Sequence, residues 1–414
     1  MDRYTETSYT SYGQHIGSSF KGILFGLLLL IGSIVLIWWN EGRSVDQADA
    51  LEEMQQKITT LASPRYDASL EGKAVLVQGE VTPRQVVMDT QFEVSTDGLV
   101  LRRKAEMYQW KETSHSESKD KLGGGTETVT TYEYHKVWSS MPIDTSFFKQ
   151  KSGHENPPMH YESMTFSTDA QLGDFYLDKR MIGHIGANTP LDLSKLPKEN
   201  GAVKNYRSFL YIGEDPAVPK VGDVKITYTY APAGLYTVAA KASGKALVPY
   251  MTQNGKALVF IRSGRVEAQT IFKEELESNA MLTWVLRIVG LSLMFVGFSL
   301  IMGPLQAFAR VIPALGSLVG GATGIVAAVL TLIFGSLIIA LAWLGARPML
   351  SLVIIGAGVG IAFVLGKFGK KKQVVSSAPP SEPTSATPPP REAPKLKGDD
   401  DQEEKPAATP PPRR

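Results

Sequence analysis

The chain has 414 residues, of which 43% are hydrophobic and 20% are charged, and its formal net charge is +2. It contains no cysteine, which excludes disulfide bonds, thiolate metal ligands and a cysteine nucleophile. The balanced charge, without a basic stripe, argues against nucleic acid as a partner. These averages conceal long uncharged segments, which indicate an integral membrane protein.

The first uncharged segment, 22–39, is long enough for one transmembrane helix and ends in a tryptophan pair suited to the headgroup interface. A cleaved signal peptide is the alternative, but the exit from the segment, Trp38–Arg43, is too bulky for a cleavage site. We therefore predict a transmembrane helix over 21–39. A cytoplasmic N-terminal segment is predicted over 1–20.

Residues 40–280 are predicted to form one soluble domain that opens with an amphipathic helical pattern. The segments 99–112 and 128–139, joined by a polar tip, predict a hairpin with its aromatic side chains on one face. Four more extended runs separated by turns lie within 221–262, and their spacing is typical of a β-meander. The domain is therefore predicted to be α+β, dominated by antiparallel sheet.

Candidate chemistry in this domain is sparse. His154 and His160 flank a proline pair in a loop, at a spacing that matches no zinc motif. No phosphate loop, nucleophile elbow or dinucleotide fingerprint is present. The carboxylates Glu106, Asp174 and Asp223 offer no pattern that selects a catalytic group. We therefore predict no enzyme, no catalytic residue, no cofactor and no metal.

Further uncharged stretches predict three more transmembrane helices, over 281–303, 318–344 and 348–366, with an interfacial connection over 304–317. The alternative is three spans in total, if the glycine-rich start of the second stretch lies outside the membrane. Arg287 lies inside the first of these helices. Snorkelling of its side chain to the interface is favoured over pairing with another helix.

Small residues recur at every fourth position of the last two predicted helices, which permits close approach of another helix. They are Gly316, Gly320, Gly324, Gly356 and Gly360. No Asp, Glu or His lies at the predicted bilayer depth, which disfavours a proton or ion pathway.

The side of the membrane follows from the charges beside the helix ends. Four lysines follow the last predicted helix and mark the C-terminal segment 367–414 as cytoplasmic, whereas acidic residues flank the domain. That segment is rich in proline and charge and is predicted to be disordered. The predicted fold class is a multi-pass α-helical membrane protein with an α+β, mainly antiparallel-β, extracytoplasmic domain.

Several strings, in order along about residues 20–366, resemble the transmembrane protein 43 family, also called LUMA. They are Asn40-Glu41-Gly42-Arg43, the run LRRKAEMYQW that contains Tyr108 and Trp110, Gly153-His154, Asn156-Pro157, Val221-Gly222-Asp223, and the group Asn279, Met281, Thr283, Trp284 and Arg287.

The resemblance implies a four-span membrane protein with a large luminal domain between its first two helices, and it supplies no catalytic residues. Animal members reside in the endoplasmic reticulum and inner nuclear membrane, where they are regarded as self-associating scaffolds that bind lamins and emerin. The proline-rich tail and the lack of cysteine fit a bacterial relative, so nuclear partners are not transferred. The expected location is the bacterial inner membrane with a periplasmic domain, or the endoplasmic reticulum or inner nuclear membrane in a eukaryote.

The favoured hypothesis is a non-enzymatic scaffold that self-associates through its glycine-faced helices and binds lipid or an envelope protein with its domain. Its expected partners are membrane lipids, further copies of the chain and an envelope protein, without nucleic acid. The first alternative is an envelope or lipid-processing enzyme with a site on the domain. The second is a channel or transporter, which would need a polar pore built by several subunits.

Overall fold

The computed structural model of the protein describes residues 2–309 and 311–346. Its helices are α1 (Tyr12–Lys57), α2 (Lys179–Ile182), α3 (Ala268–Ile301), α4 (Gly303–Ala309) and α5 (Pro313–Ala346). Among the described residues, α1, α3 and α5 are long and apolar enough to cross a membrane. We call these three the spanning helices. The predicted fourth span, 348–366, and the tail, 367–414, lie outside the described residues.

The described residues also form twenty strands. They are β1 (Asp2–Thr10), β2 (Thr59–Thr60), β3 (Ala74–Pro83), β4 (Val87–Asp89), β5 (Val94–Thr96), β6 (Val100–Asp120), β7 (Thr126–Ser139), β8 (Met164–Ser167), β9 (Ala170–Leu172), β10 (Phe175–Leu177), β11 (Thr189–Pro190), β12 (Glu199–Asn200), β13 (Val203–Asn205), β14 (Leu210–Ile212), β15 (Val224–Ala231), β16 (Gly234–Ser243), β17 (Ala246–Val248), β18 (Tyr250–Met251), β19 (Ala257–Leu258) and β20 (Phe260–Ser263).

Most of these strands belong to two sheets, and nearly all their pairings are antiparallel. The first sheet has the order β1-β7-β6-β15-β14-β13-β12, with β8 also paired to β6 and β11 to β15. The second has the order β2-β3-β9-β10-β17-β16-β20, with β3 also paired to β16. The structure thus confirms membrane helices combined with a mainly antiparallel β domain.

The β domain has a core between its sheets and a second core that includes the spanning helices. Val75, Val238 and Phe175 of the second sheet meet Leu99 and Val100 at the start of β6. The other face of the second sheet packs on the C-terminal end of α1 and the N-terminal end of α3, whose buried residues are Ala50, Leu51, Met54, Ile271 and Phe272. Helices that cross the membrane therefore continue into the domain and help to form its core.

The predicted meander was wrong at its first connection. Strands β15 and β16 follow each other in sequence, but β15 pairs with β6 and β14, whereas β16 pairs with β3, β17 and β20. The reason lies in their burial. Along β16, residues 236–240 are buried on both faces, which suits an interior position between two layers. Along β15, burial alternates more, which suits a sheet with one covered face.

Helix α1 is longer than the sequence predicts. The predicted span over 21–39 and the amphipathic segment that follows it form one uninterrupted helix of 46 residues. It packs antiparallel against α3 at Gly26 and Gly297, where a Cβ added to Gly26 would lie 2.7 Å from the carbonyl oxygen of Gly297. The two backbones touch at this point because neither residue has a side chain.

The N-terminal segment forms a strand of the domain. Strand β1 pairs with β7 over nine residues, from Asp2 opposite Tyr134 to Thr10 opposite Thr126. The cytoplasmic location of residues 1–20 stays a prediction. Asp2 lies near the domain, where its Oδ2 is 3.4 Å from Nε2 of His154. The chain therefore runs along the hairpin, away from the domain, before it returns as α1. The side of the membrane on which the domain lies stays a prediction.

The contact between α1 and α3 predicts unequal effects for two glycines of α1. We expect Gly26→Leu to destabilise the protein by about 1–3 kcal/mol, because the new side chain must displace the backbone of Gly297. Gly32→Leu is the matched control, since a Cβ at Gly32 meets no atom within 4 Å. Thermal unfolding of the detergent-solubilised protein measures both. Equal melting temperatures for the two variants would contradict this packing.

Candidate functional site

Most of the residues that carry the family resemblance come together in two clusters, one at the end of the spanning helices and one at the base of the β6–β7 hairpin. The junction cluster lies where α1 and α3 leave their apolar segments and enter the domain. Its members are Asn40, Glu41, Arg43, Ser44, Asn279, Thr283, Arg287 and Trp343.

At the centre of the junction cluster is a buried ion pair. Arg287 donates from Nε to Oε1 of Glu41 at 2.6 Å and from Nη2 to Oε2 at 2.7 Å, a bidentate arrangement. Trp343 of α5 donates from Nε1 to the same carboxylate at 3.0 Å, so three spanning helices meet at Glu41. Glu41 is 1% exposed. The predicted snorkelling of Arg287 was therefore wrong, since its charge pairs with a second helix.

One helical turn further toward the domain, a polar network joins α1 to α3. Arg43 donates to Oδ1 of Asn279 at 3.0 Å and to Oγ1 of Thr283 at 3.0 Å. Asn40 donates to the backbone carbonyl of Thr283 at 3.1 Å, and Asn279 donates to that of Ser44 at 2.9 Å. Because each bond crosses between the helices, the network holds them in one register.

Two other motif residues on these helices have different roles. Trp284 is 61% exposed, and the guanidinium carbon of Arg287 lies 4.9 Å from its ring centroid, so the indole covers the charge from one side. A Cβ added to Gly42 would meet no atom within 4 Å, so close packing does not explain this glycine.

The hairpin-base cluster consists of Trp110, Glu112, Tyr134, Phe148, His154 and Asn156. The His154 ring stacks on Tyr134 with centroids 4.0 Å apart and meets Trp110 edge-on at 4.6 Å. His154 is 3% exposed, and its Nδ1 lies 3.1 Å from the carbonyl oxygen of Gln150. The predicted aromatic hairpin face is therefore present, and Tyr108 completes it by packing on Trp138 at 5.2 Å.

Asn156 extends the sheet where its strand pairing ends. Its Oδ1 accepts from the backbone N–H of Trp110 at 2.7 Å, and its Nδ2 donates to the Trp110 carbonyl at 3.0 Å. The amide thus takes the place of a neighbouring strand at this one residue. On the face that carries Trp110, Tyr134 donates to Glu112 at 2.7 Å. The cluster fixes the base of the hairpin and buries the His154 ring.

A third polar group, which the sequence did not reveal, lies inside the domain. Asp89 Oδ2 accepts from Arg103 at 2.8 Å and from the Tyr228 hydroxyl at 2.7 Å, and Arg103 also donates to Gln91 and to the Glu162 carbonyl. Burial, followed by the hydrogen bond to Asp89, raises the pKa of Tyr228 above its usual range. The group ties β4, β6 and β15 together. Its ion pair is fully satisfied, as a structural pair must be.

The glycines predicted to form a helix-packing face differ in their surroundings. Gly316 is buried, whereas a Cβ at Gly320 or Gly324 would meet no atom within 4 Å. Gly356 and Gly360 lie outside the described residues. The close contacts between the spanning helices, in the described residues, instead use glycines that the periodicity did not single out: Gly26, Gly290, Gly297 and Gly335.

A groove lies among α1, α3 and α4, beside the apolar part of these helices. Its volume is about 380 Å³, and its lining combines apolar side chains with hydroxyl and amide groups from Ser18, Ser19, Ser299 and Gln306. Among the residues that the structure describes, no three His, Asp or Glu side chains are grouped so as to hold a metal ion.

Comparison with known proteins gives matches to one family. The model of the family described as "Transmembrane protein 43" matches residues 107–348. Human transmembrane protein 43 is 31% identical over 366 residues, which cover 84% of this chain and 90% of the human protein. The homologue from Drosophila melanogaster is 27% identical over 358 residues, covering 84% of this chain and 95% of its own. No solved structure matches the chain.

The ion pair at the centre of the junction cluster predicts strongly coupled variants. We expect Glu41→Gln to destabilise the protein by about 3–5 kcal/mol, because the Arg287 charge stays buried without a counter-charge. Arg287→Met is expected to cost a similar amount, and the double variant less than the sum of the two. A double-mutant cycle by thermal or denaturant unfolding in detergent measures this coupling.

The control for this cycle is the exposed pair Lys220–Glu214, whose side chains are 62% and 78% exposed. Replacing Glu214 by Gln should leave stability unchanged, because water screens exposed charges. Additive effects at Glu41 and Arg287 would contradict the role we assign to their ion pair.

Proposed function

The chain belongs to the transmembrane protein 43 family, and we propose that it is a non-enzymatic membrane scaffold whose spanning helices hold the β domain rigidly at the bilayer surface. The observation that carries this proposal is the junction cluster, in which Glu41 is bound by both Arg287 and Trp343. A scaffold must hold its binding domain in a fixed position relative to the membrane. This cluster lies where the spanning helices enter the domain, so it can fix that position.

The described residues contain no flexible linker between the apolar helix segments and the domain, which supports a rigid connection between them. Helix α1 runs from the apolar segment to Met54, which is buried in the domain core. Helix α3 runs from Ile271 in the same core into the second apolar segment. The helices therefore cannot tilt in the membrane without moving the domain, because their ends form part of its core.

We propose that the scaffold self-associates through the glycine face of α5. Gly320 and Gly324 lie four residues apart, and a Cβ at either position would point into open space. In contrast, the space beside the glycines between α1 and α3 is filled by the neighbouring helix of the same chain. An open small-residue face lets a second helix approach closely. In this proposal Gly356 and Gly360 belong to a corresponding face on the predicted fourth span.

We also propose membrane lipid as a ligand of the groove among α1, α3 and α4. Apolar walls from Phe295, Val296 and Leu300 suit an acyl chain, and the nearby serines can hydrogen-bond to a lipid headgroup or glycerol oxygen. An envelope protein is the proposed partner of the β domain, which we place outside the cytoplasm because acidic residues flank it and lysines follow the last predicted helix.

Self-association provides the test of the scaffold. We expect the double variant Gly320→Leu/Gly324→Leu to lower the crosslinked oligomer fraction in native membranes by at least about threefold, because two leucines keep a second backbone away. Gly32→Leu, on an open position of α1, is the matched control and should crosslink like the unmodified protein. The amount of chain in the membrane and its melting temperature in detergent should not change.

A chain that is monomeric before any substitution would contradict the proposal. Proximity labelling from the β domain is the complementary measurement, since a scaffold should label lipid, a protein partner or other copies. A small-molecule product that forms only in the presence of the protein would instead favour the enzyme alternative.

A further inference from the structure

The β6–β7 hairpin reaches the end of the spanning helices that lies farthest from the domain. Its tip, residues 121–125, rests on that end: the N–H of Gly123 donates to the Val311 carbonyl at 3.3 Å, and Nε2 of His15 lies 2.9 Å from Oγ1 of Thr126. Gly124 lies against the ring of Tyr12, the first residue of α1. The domain core contains the opposite end of α1, at Leu51 and Met54.

The lengths of α1 and β6 agree with a hairpin that runs alongside α1 from the domain to the far end of the helix. From Tyr12 to Ala50, α1 rises about 57 Å at about 1.5 Å per residue. From Leu101 to Asp120, β6 extends about 60 Å at about 3.3 Å per residue. The hairpin therefore runs beside the whole apolar segment 22–39, and the sheet formed by β1, β7 and the outer part of β6 passes the level of the bilayer core.

Neither face of this three-stranded sheet suits lipid. On one face, Ser116 bonds to Thr130 at 2.9 Å and Ser118 bonds to Thr128 at 2.8 Å, so hydroxyl groups form a ladder. The other face carries charges of both signs, among them Lys111, Glu117, Lys119, Glu127, Glu133 and Arg3. A sheet in contact with lipid needs an apolar band on its outer face, so at this level the sheet must face water or protein.

Among the described residues, the sheet also has two open edges of equal length at the same level. One is the outer edge of β1, the last strand in the sheet order. The other is the edge of β6 over residues 112–120, beyond the positions that Asp223 and Asn156 cover. Asp2 and Glu112 both lie opposite Tyr134, and Thr10 and Asp120 both lie opposite Thr126. Open backbone edges at bilayer depth are costly unless protein or water satisfies them.

We propose that neighbouring copies of this chain pair edge to edge, β1 of one copy against residues 112–120 of the next. Because β1 and β6 are both antiparallel to β7, they run in the same direction, and the new pairing is parallel. Such a contact uses two different surfaces and closes into a ring by rotation about an axis along the strands. The polar sheets line the inside of the ring, and the spanning helices face lipid outside.

The second copy is favoured over other occupants because the two edges match each other in length and level, as successive copies require. The proposal rests on the self-association argued above and specifies an interface for it other than the glycine face. The outside of the proposed ring is suited to contact with lipid, because α1 exposes apolar side chains there. These are Leu24, Phe25, Leu28, Ile31 and Val35.

Disulfide crosslinking tests the interface, and the chain is suited to it because it has no cysteine. Ser8→Cys on β1 is combined in turn with Glu112→Cys, Ser114→Cys, Ser116→Cys and Ser118→Cys, which share one face of the sheet. Ser8 and Ser118 of one chain are separated by β7, so their Cα atoms are about 10 Å apart. That distance is too long for a disulfide, so any bond formed joins two copies.

We expect at least one double variant of the full chain, oxidised mildly in native membranes, to form a ladder of covalent multimers. Each single variant should remain a monomer on a non-reducing gel. Ser8→Cys/Ser194→Cys is the matched control, with its second cysteine on an exposed loop of the domain, and it should give no ladder. Gel filtration of the reduced samples verifies that the variants fold like the unmodified protein.

The outcomes separate this interface from self-association itself. If no double variant gives a ladder while a lysine-reactive crosslinker captures multimers, edge pairing is overturned and self-association through the helices stands. If both crosslinkers recover only monomers, the scaffold proposal fails as well. Dimers from Ser8→Cys alone would also overturn the ring, because they indicate two β1 edges in contact.

Discussion

The ion pair between Glu41 and Arg287 fixes the geometry from which the domain and the membrane helices take their relative positions. Burial of two charges costs several kcal/mol per ion, which only close geometry and further hydrogen bonds can offset. The bidentate contact supplies the geometry, and the indole of Trp343 supplies the additional donor. Because the guanidinium group is planar and rigid, it matches the carboxylate in one relative position of the helices.

Small and polar residues specify this same alignment of α1 and α3. Gly26 meets Gly297 in the middle of the apolar segments, and Asn40 meets Thr283 near their end. A slip of one helical turn would remove these contacts together and would leave Arg287 against apolar side chains. Steric fit and charge pairing thus exclude the same alternatives, which explains how two long apolar helices acquire one register without a hydrophobic driving force between them.

The sequence was most informative where a residue type conflicts with its surroundings. Asn40, Glu41 and Arg43 stand at the end of an apolar segment and Arg287 stands inside another, and the sequence favoured snorkelling of Arg287 over pairing with another helix. Their pairing was not predictable, because hydropathy locates a segment in the membrane but does not align two segments with each other. Trp343 shows the same limit, since a tryptophan near a helix end suits the interface equally well. The buried group around Asp89 gave no signal, because its members are far apart in sequence.

In the outer part of the β6–β7 hairpin, the strands extend further than the sequence pattern predicts. We predicted strands up to about residue 112 and from residue 128, where apolar and aromatic residues alternate with polar ones. Beyond these limits the strands continue to Asp120 and from Thr126 without any apolar alternation. Their conformation is maintained by the backbone ladder and by hydroxyl pairs between neighbouring strands, which are features of the assembled sheet.

The same reasoning applies more strongly to β1. Its polar sequence has no preference for one face, and its strand conformation depends entirely on β7. An edge strand of this kind gains little from burial, so hydrogen bonds on its open side would contribute a large share of its order. The strand conformation of β1 therefore depends on the strands that lie beside it.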